Sequence, residues 1–185
     1  MQVRLQHYQD IAADEQFDKI ASIGMFEHVG ADQLPRYFKR RHDLLAPGGL
    51  LLNHGITAGS PDNTGGLSSD ISEFIEKYAV PGGDLVHLCR VTELFSRAGL
   101  DVADVEYLRP HYARALWHWV NGLEALQDAA IPLIGDERYR TWRIYIAGSA
   151  HTFERGRMSI CQVLAGKPLA DGSLRLPLTR EHVYV

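Results

Sequence analysis

Two apolar segments separated by one amphipathic helix constrain the fold of this chain more than any other feature. The first segment runs from Phe17 to Met25 and the second from Leu50 to Gly55, and both read as buried strands. Between them, apolar residues recur at helical spacing: Leu34, Tyr37, Phe38 and Leu45. Asp32 is suited to cap this helix, and Pro47-Gly48-Gly49 to end it. A helix between two buried strands is a βαβ unit, which predicts a parallel sheet covered by helices.

The remainder of the chain continues this alternation of strands and helices. We expect a short strand at Val3–Leu5, a helix at 71–78, a helix at 91–98 closed by Gly99, and strands at 102–108 and 159–164. Two longer helical stripes begin at Tyr112 and at Tyr139. With 185 residues and no internal repeat or linker, the sequence predicts one α/β domain over residues 1–185.

Charge and cysteine content exclude several classes of function. The net charge of -4 and the pI of about 6.1 argue against a nucleic-acid-binding protein. Two cysteines without a CxxC motif indicate a reducing compartment, and no segment approaches a membrane span of roughly 20 apolar residues. The histidines lack an HExxH pair or other close ligand spacing, so we expect no metal site.

Ionisable residues follow the ends of both predicted strands. Glu27 and His28 come directly after the first strand, and His54 lies near the end of the second. Because ligands collect at the carboxyl ends of parallel strands, a carboxylate and an imidazole there could bind a polar group or move protons. A loop glutamate and a structural histidine remain the alternative. Tyr112, which opens an apolar helix, reads from pattern alone as a core aromatic residue.

Other candidate residues have simpler interpretations. Cys89 and Cys161 are expected to be inert, and Ser149 lacks the GxSxG motif of a hydrolase nucleophile. The basic run Arg36, Lys39, Arg40 and Arg41 is typical of a solvated helix face, with anionic phospholipid head groups as the alternative partner. A glycine-rich nucleotide-binding turn is also missing, since no glycine occurs before Gly24.

Several sequence blocks, taken together, resemble the cyclopropane-fatty-acyl-phospholipid synthase family, which includes the mycolic acid cyclopropane synthases. The most specific are Gly24-Met25-Phe26-Glu27-His28-Val29-Gly30 and Lys77-Tyr78-Ala79-Val80-Pro81-Gly82-Gly83. Shorter matches are Gln6 to Asp10, His54-Gly55-Ile56 and Leu176 to Arg180. The resemblance covers nearly the whole chain and implies the Rossmann-like sheet of class I methyltransferases with a helical cap on the lipid side.

The resemblance also implies a reaction and a set of site residues. Family members transfer a methyl group from S-adenosylmethionine to the cis double bond of a phospholipid acyl chain and close a cyclopropane ring. A bound bicarbonate removes the proton, and the positions that hold it match Glu27, His54, Ile56 and Tyr112. Cofactor contacts on the adenine side match Tyr8 and Gln9. A cytoplasmic protein on the inner face of the membrane is implied, and a homodimer is left open.

Two departures from the family bear on activity. Ser149 occupies a position where relatives often have a cysteine, and the sequence begins at the family's third strand. Without the first two strands, Val3–Leu5 would lack a neighbour and the Phe17–Met25 strand would become an exposed apolar edge. We therefore expect the 185-residue chain alone to bind S-adenosylmethionine weakly or not at all, and tight binding in isothermal titration would contradict this. A non-catalytic lipid- or partner-binding module, and methylation without ring closure, remain alternatives.

Overall fold

The computed structural model describes residues 2–62, 77 and 84–181, and the predicted helix at 71–78 lies almost wholly outside them. The strands are β1 (Phe17–Ile23), β2 (Leu45–Ala58), β3 (Asp101–Tyr107) and β4 (Met158–Gly166). The helices are α1 (Leu34–Leu44), α2 (Leu88–Arg97), α3 (Arg109–Ala125), α4 (Gln127–Ile134) and α5 (Asp136–Glu154). Short 3-10 helices span Tyr8–Asp10, Phe26–His28 and Ala31–Gln33.

The four strands form one mixed sheet in the order β1-β2-β4-β3. β1 pairs in parallel with β2, whereas β4 runs antiparallel to both β2 and β3. β1, β2 and β3 therefore point the same way, and their carboxyl ends share one edge of the sheet. The βαβ unit predicted from the two apolar segments is confirmed.

Helices cover the two faces of the sheet with separate cores. On one face, α1 and α2 form a layer whose core includes Phe38, Leu51 and Phe95, all fully buried. On the other face, α3, α4 and α5 form a helical cap, in which Leu116 and Phe153 pack against Ile160 of β4. Side chains alternate between the two faces of β2, so Leu51 packs in the first core and Ile56 packs against the second.

Some sequence expectations are corrected. Residues 2–5 form no strand, and Val3 and Leu5 are exposed, because no neighbouring strand among the described residues offers them backbone partners. The end signal at Pro47-Gly48-Gly49 lies inside β2, since α1 already ends at Leu44. Asp32 lies within a 3-10 helix, and its side chain does not cap α1.

The first long strand also differs from a fully buried strand. β1 is shorter than the apolar segment that predicted it, ending at Ile23, and it lies at the edge of the sheet. Ile23 is 68% exposed there. The expectation that this strand forms an exposed edge is confirmed.

Candidate functional site

A tight turn at the carboxyl end of β1 carries Glu27 into the sheet edge. Gly24 adopts a φ of +60°, a left-handed conformation that glycine adopts without a steric penalty, and its N–H donates to the His54 carbonyl at 2.9 Å. The chain then enters the 3-10 helix Phe26–His28. Phe26 is 2% exposed in the first core, and this anchor holds Glu27 buried at 6% exposure.

Glu27 completes the edge of β2 where β1 has ended. Ile23 is the last β1 residue paired with β2, opposite His54. Two residues further on, the backbone of Ile56 faces the same side and its N–H donates to Glu27 Oε1 at 3.3 Å. The other oxygen, Oε2, is buried and has no hydrogen-bond partner within the described part of the chain.

The approach of Glu27 to β2 requires glycine at position 55. A Cβ atom at Gly55 would lie 2.7 Å from Glu27 Oε2 and would overlap the Phe26 ring. The glycine that follows His54 is therefore part of the site geometry. Gly55 belongs to the His54-Gly55-Ile56 block of the sequence, and a glycine inside a strand often marks such a close approach.

His54 and Tyr112 approach the same edge from the cap side. Strand alternation directs His54 and Ile56 toward the cap, and His54 Nδ1 is buried without a partner among residues 2–62 and 84–181. Tyr112 and Ile56 both pack against the cap core, where the Tyr112 ring makes an edge contact with Phe153 at 5.3 Å. Glu27 therefore contacts the Ile56 amide, His54 lies two residues earlier on the same strand, and Tyr112 packs with Ile56 against the cap core.

A second tyrosine on the cap was not identified from the sequence. Burial raises the pKa of the Tyr145 phenol above its ordinary 10.0, and Tyr112 acts in the same direction, whereas a hydrogen bond with Ser149 opposes the rise. Ser149 is itself buried, at 9% exposure. The sequence does contain a cue to this contact, because Tyr145 precedes Ser149 by four residues and therefore shares its helix face.

Tyr8 and Gln9 lie on the α1 side of the sheet and are connected to the Glu27 turn through Arg41. The Arg41 guanidinium stacks on the rings of Tyr8 and Tyr37 at 4.7 and 4.3 Å and donates to Met25 Sδ at 3.5 Å. Gln9 Nε2 donates to the Tyr8 hydroxyl at 3.1 Å. Met25 lies two residues before Glu27, so the buried Arg41 side chain connects Tyr8 to the turn that carries Glu27.

The expectation of a solvated basic face on α1 is therefore wrong for Arg41, which is 5% exposed. Arg41 follows Leu34 and Tyr37 at intervals of seven and four residues, which places it on the buried helix face. Lys39 pairs with Asp43, and Arg40 donates to the Ile11 carbonyl. Fewer basic side chains of α1 therefore remain for contact with anionic lipid.

The unsatisfied atoms at the sheet edge fit a small oxyanion that carries a hydroxyl. Buried polar atoms are nearly always hydrogen-bonded, so Glu27 Oε2 and His54 Nδ1 are the atoms at which water or a ligand would bind. A carboxylate accepts a hydrogen bond, and an imidazole N–H donates one, which are the complementary needs of bicarbonate. In the described ranges, no group of three or more metal-ligating side chains gathers. None of the described helices has the length and apolar character to cross a bilayer.

A separate depression of about 290 Å³ lies further along the same edge. It is lined by Thr57, His87, Tyr107, Arg109 and Cys161, among others. Arg109 is already engaged by the Phe153 carbonyl at 2.7 Å and by the Tyr107 hydroxyl. Burial raises the pKa of the Cys161 thiol, which agrees with the inert role expected from the sequence.

Comparison with known proteins gives concordant matches. The model of the family described as mycolic acid cyclopropane synthetase matches residues 1–163. A probable fatty acid methyltransferase of Pseudomonas putida is 44% identical over 177 residues, covering 96% of this chain and 45% of that protein.

Solved structures give the same result. The cyclopropane synthase MmaA2 of Mycobacterium tuberculosis matches with a TM-score of 0.81 and 31% identity, covering 89% of this chain and 59% of the other. The mycolic acid cyclopropane synthase CmaA1, complexed with SAH and CTAB, matches with a TM-score of 0.79 and 33% identity, covering 89% and 59%. The chain spans about half the length of the curated relatives it matches.

Proposed function

Since the chain belongs to the mycolic acid cyclopropane synthetase family and has the class I methyltransferase fold, we propose that it contributes to S-adenosylmethionine-dependent methylation of a lipid acyl chain. One observation carries the proposal. Glu27 Oε2 and His54 Nδ1 are buried and unpaired within the described residues, at the carboxyl edge of β1 and β2. This is the edge at which ligands of open α/β sheets bind.

The proposed reaction is methyl addition to a cis double bond followed by ring closure. S-adenosylmethionine supplies an electrophilic methyl group when bound. Addition to the alkene leaves a carbocation on the acyl chain, and closure to a cyclopropane requires that this chain lose a proton. We propose that Glu27, His54 and Tyr112 hold a bicarbonate that accepts it, and that the Ile56 amide fixes Glu27 in place.

Each residue has a distinct part in this arrangement. Glu27 accepts a hydrogen bond from the hydroxyl of the ion and thereby orients it, while its other oxygen stays fixed by Ile56 N–H. His54 Nδ1 and the Tyr112 hydroxyl donate to the ion's remaining oxygens. Tyr8 and Gln9, an aromatic ring beside an amide, supply the stacking and hydrogen bonding that suit an adenine base.

The cap side of the site suits an apolar substrate. Ile56, Tyr112 and Ile146 pack against a core of aliphatic and aromatic side chains, which excludes water from the reacting carbons. Exclusion matters because water would otherwise trap a carbocation as an alcohol. An acyl chain of a phospholipid is the substrate that this surface and the family resemblance favour.

Expression of the complete reading frame in a bacterium whose membrane lipids carry monounsaturated acyl chains tests the proposal. Mass spectrometry should detect acyl chains that gain one CH2 unit and lose the double bond. Glu27→Gln should abolish this product and leave the circular dichroism spectrum unchanged, because the amide keeps the shape but no longer accepts through both oxygens. His28→Gln is the matched control, since His28 is the exposed neighbour.

Three outcomes would count against parts of the proposal. Unchanged lipids with a folded protein would favour the non-catalytic binding module. A gained CH2 unit with the double bond retained would indicate methyl branching in place of ring closure. Full activity of Glu27→Gln would remove the bicarbonate site from the mechanism.

A further inference from the structure

Residues 2–16, which include the two proposed adenine contacts, are attached to the domain by side chains and form no strand. Their backbone hydrogen bonds in the described part of the chain are local, such as the one from Asp10 N–H to the His7 carbonyl at 2.9 Å. Helix α1 provides an anchor, because Arg40 donates to the Ile11 carbonyl. The position of this segment therefore depends on side chains of α1.

Arg41 holds the same segment from inside the protein. Its guanidinium is buried and lies 4.7 Å from the centre of the Tyr8 ring and 4.3 Å from that of Tyr37. The two rings meet edge to face at 5.3 Å, and the Tyr37 hydroxyl is hydrogen-bonded to Ser22 of β1. Because a guanidinium stacks on the face of an aromatic ring, Arg41 fixes the plane of the Tyr8 ring relative to the sheet.

The surroundings of Arg41 are unfavourable for a side chain that contributes packing alone. Among residues 2–62, 77 and 84–181, no carboxylate forms an ion pair with Arg41, and its Nε is buried without a hydrogen-bond partner. Burial of an unpaired charge lowers stability, and a well-packed apolar side chain in its place is often neutral or stabilising. A cation at this position therefore indicates a role other than stability.

Arg41 contacts the turn that carries Glu27 more weakly than it contacts the tyrosines. It donates to Met25 Sδ at 3.5 Å, and a thioether sulfur is a weak acceptor. The turn has a stronger support of its own, because the Glu27 carbonyl accepts from Asp84 N–H at 3.0 Å. Removal of the Arg41 side chain should therefore displace the segment 2–16 and leave Glu27 in place.

We propose that Arg41 is a positioning residue for cofactor binding, which holds Tyr8 and the adjacent Gln9 in the arrangement that recognises adenine. The inference rests on the proposed function for the identity of the cofactor. Arg41 acts through the Tyr8 ring, whose hydroxyl accepts from Gln9 Nε2 at 3.1 Å, and does not itself touch the base. A segment that is fixed before the cofactor arrives loses less freedom on binding, so its release should weaken affinity.

Binding of S-adenosylhomocysteine to the protein expressed from the complete reading frame tests this without catalysis. In isothermal titration, Arg41→Met should raise Kd about tenfold, the effect expected for loss of a desolvated cation–π contact. Arg41→Lys keeps the charge but not the planar group, so its Kd should fall between those of the parent and Arg41→Met. Arg36→Met is the matched control, since Arg36 is exposed on the same helix, and it should bind as the parent does.

Steady-state methylation separates positioning from chemistry. Arg41→Met should raise KM for S-adenosylmethionine in parallel with Kd and change kcat by less than about twofold, because Glu27 keeps its place. A fall in kcat with an unchanged KM would overturn the proposal. An unchanged Kd with a lower midpoint in urea would also overturn it, because Arg41 would then act on stability alone.

A double-mutant cycle shows whether Arg41 acts through Tyr8. In a Tyr8→Leu background, Arg41→Met should have little further effect on Kd, because the ring that it positions is already absent. If the two substitutions multiplied their separate effects, Arg41 would act independently of Tyr8 and the proposal would fail.

Chymotrypsin digestion of the 185-residue chain gives a readout that needs no cofactor. Cleavage after Tyr8 requires that the segment leave α1, so Arg41→Met should speed this cut about tenfold relative to Arg36→Met. Mass spectrometry of the released N-terminal peptide measures the rate. Equal rates in the two variants would show that Arg41 does not hold the segment, which overturns the proposal.

The failure of this inference and the failure of the proposed function give different results. Binding of S-adenosylhomocysteine without methylation of any acyl chain would refute the proposed reaction and leave the role of Arg41 intact. Methylation by the parent, together with full affinity in Arg41→Met, would refute the role of Arg41 alone. A parent protein that binds no S-adenosylhomocysteine would overturn both.

Discussion

The two helical layers use similar apolar stripes and bury them to different extents. In the α1/α2 layer, Tyr37, Phe38 and Phe95 are completely buried against the sheet. In the cap, α3 buries only small or aliphatic residues and leaves Trp119 exposed. The difference arises because α3 and α5 pack mainly on each other, so their outer faces have no sheet to cover them. Helical periodicity therefore predicts a helix but not the extent of its burial.

The largest expected effect separates these two layers by truncation of one aromatic residue in each. Phe38→Ala removes a ring that contacts Phe26, Tyr37 and Phe95, and we expect a loss of about 3–5 kcal/mol in the free energy of unfolding. Trp119→Ala should cost less than about 1 kcal/mol, since the ring is mostly in water. Urea denaturation measures both, and equal losses would mean that the cap is a core like the first layer.

A smaller effect is expected at the glycine that admits Glu27. Gly55→Ala places a methyl group against Phe26 and Glu27 Oε2, and we expect a loss of about 1–3 kcal/mol from overpacking. Because the crowded atom belongs to the proposed site, methylation should fall further than the change in stability explains. Normal activity together with an unchanged midpoint in urea would show that Glu27 does not need this close approach.

Sequence patterns predicted the fold where local and long-range signals agreed. The apolar segments at Phe17–Met25 and Leu50–Gly55 placed Glu27 and His54 at one edge because parallel strands share that edge. Val3–Leu5 failed as a strand because its alternation is too short to specify pairing without a partner. Helix α4 was not predicted, since Pro132 lies inside it and its apolar residues pack against no core.

Site residues that depend on three-dimensional contacts were harder to identify. Arg41 was assigned to a solvated face because arginine is usually exposed, whereas two tyrosine rings hold it inside. The roles of Ile56 and Tyr112 came from family resemblance, because neither a backbone amide nor a core-like tyrosine has a sequence signature of its own. The roles of Glu27, His54, Ile56, Tyr112, Tyr8 and Gln9 remain predictions, and Glu27→Gln tests the first of them.

A glycine in the cap provides the opposite case to Gly55. A Cβ atom at Gly148, within α5, would meet no other atom within 4 Å. Gly148→Ala should therefore stabilise the protein by about 0.5–1 kcal/mol, through the higher helix propensity of alanine. A rise in the urea midpoint would confirm that position 148 opens to solvent, unlike the crowded position of Gly55. A loss of stability would mean that another surface packs closely on α5.

The smallest expected effect is the pH dependence contributed by Cys161, on the sheet face that meets the α1/α2 layer. Burial raises the pKa of this thiol above its ordinary 9.0, so the folded state keeps the proton to higher pH than the unfolded state does. The resulting stability is fully present below pH 9.0 and is lost as pH rises through the folded-state pKa. Cys161→Ala should flatten the alkaline fall in unfolding free energy, whereas Cys89→Ala, at an exposed thiol, should leave it unchanged. If both variants followed the wild-type curve, the loss of unfolding free energy at alkaline pH would have to come from other groups. Burial also raises the pKa of Tyr145, so Tyr145→Phe would test whether this tyrosine of the cap contributes to that loss.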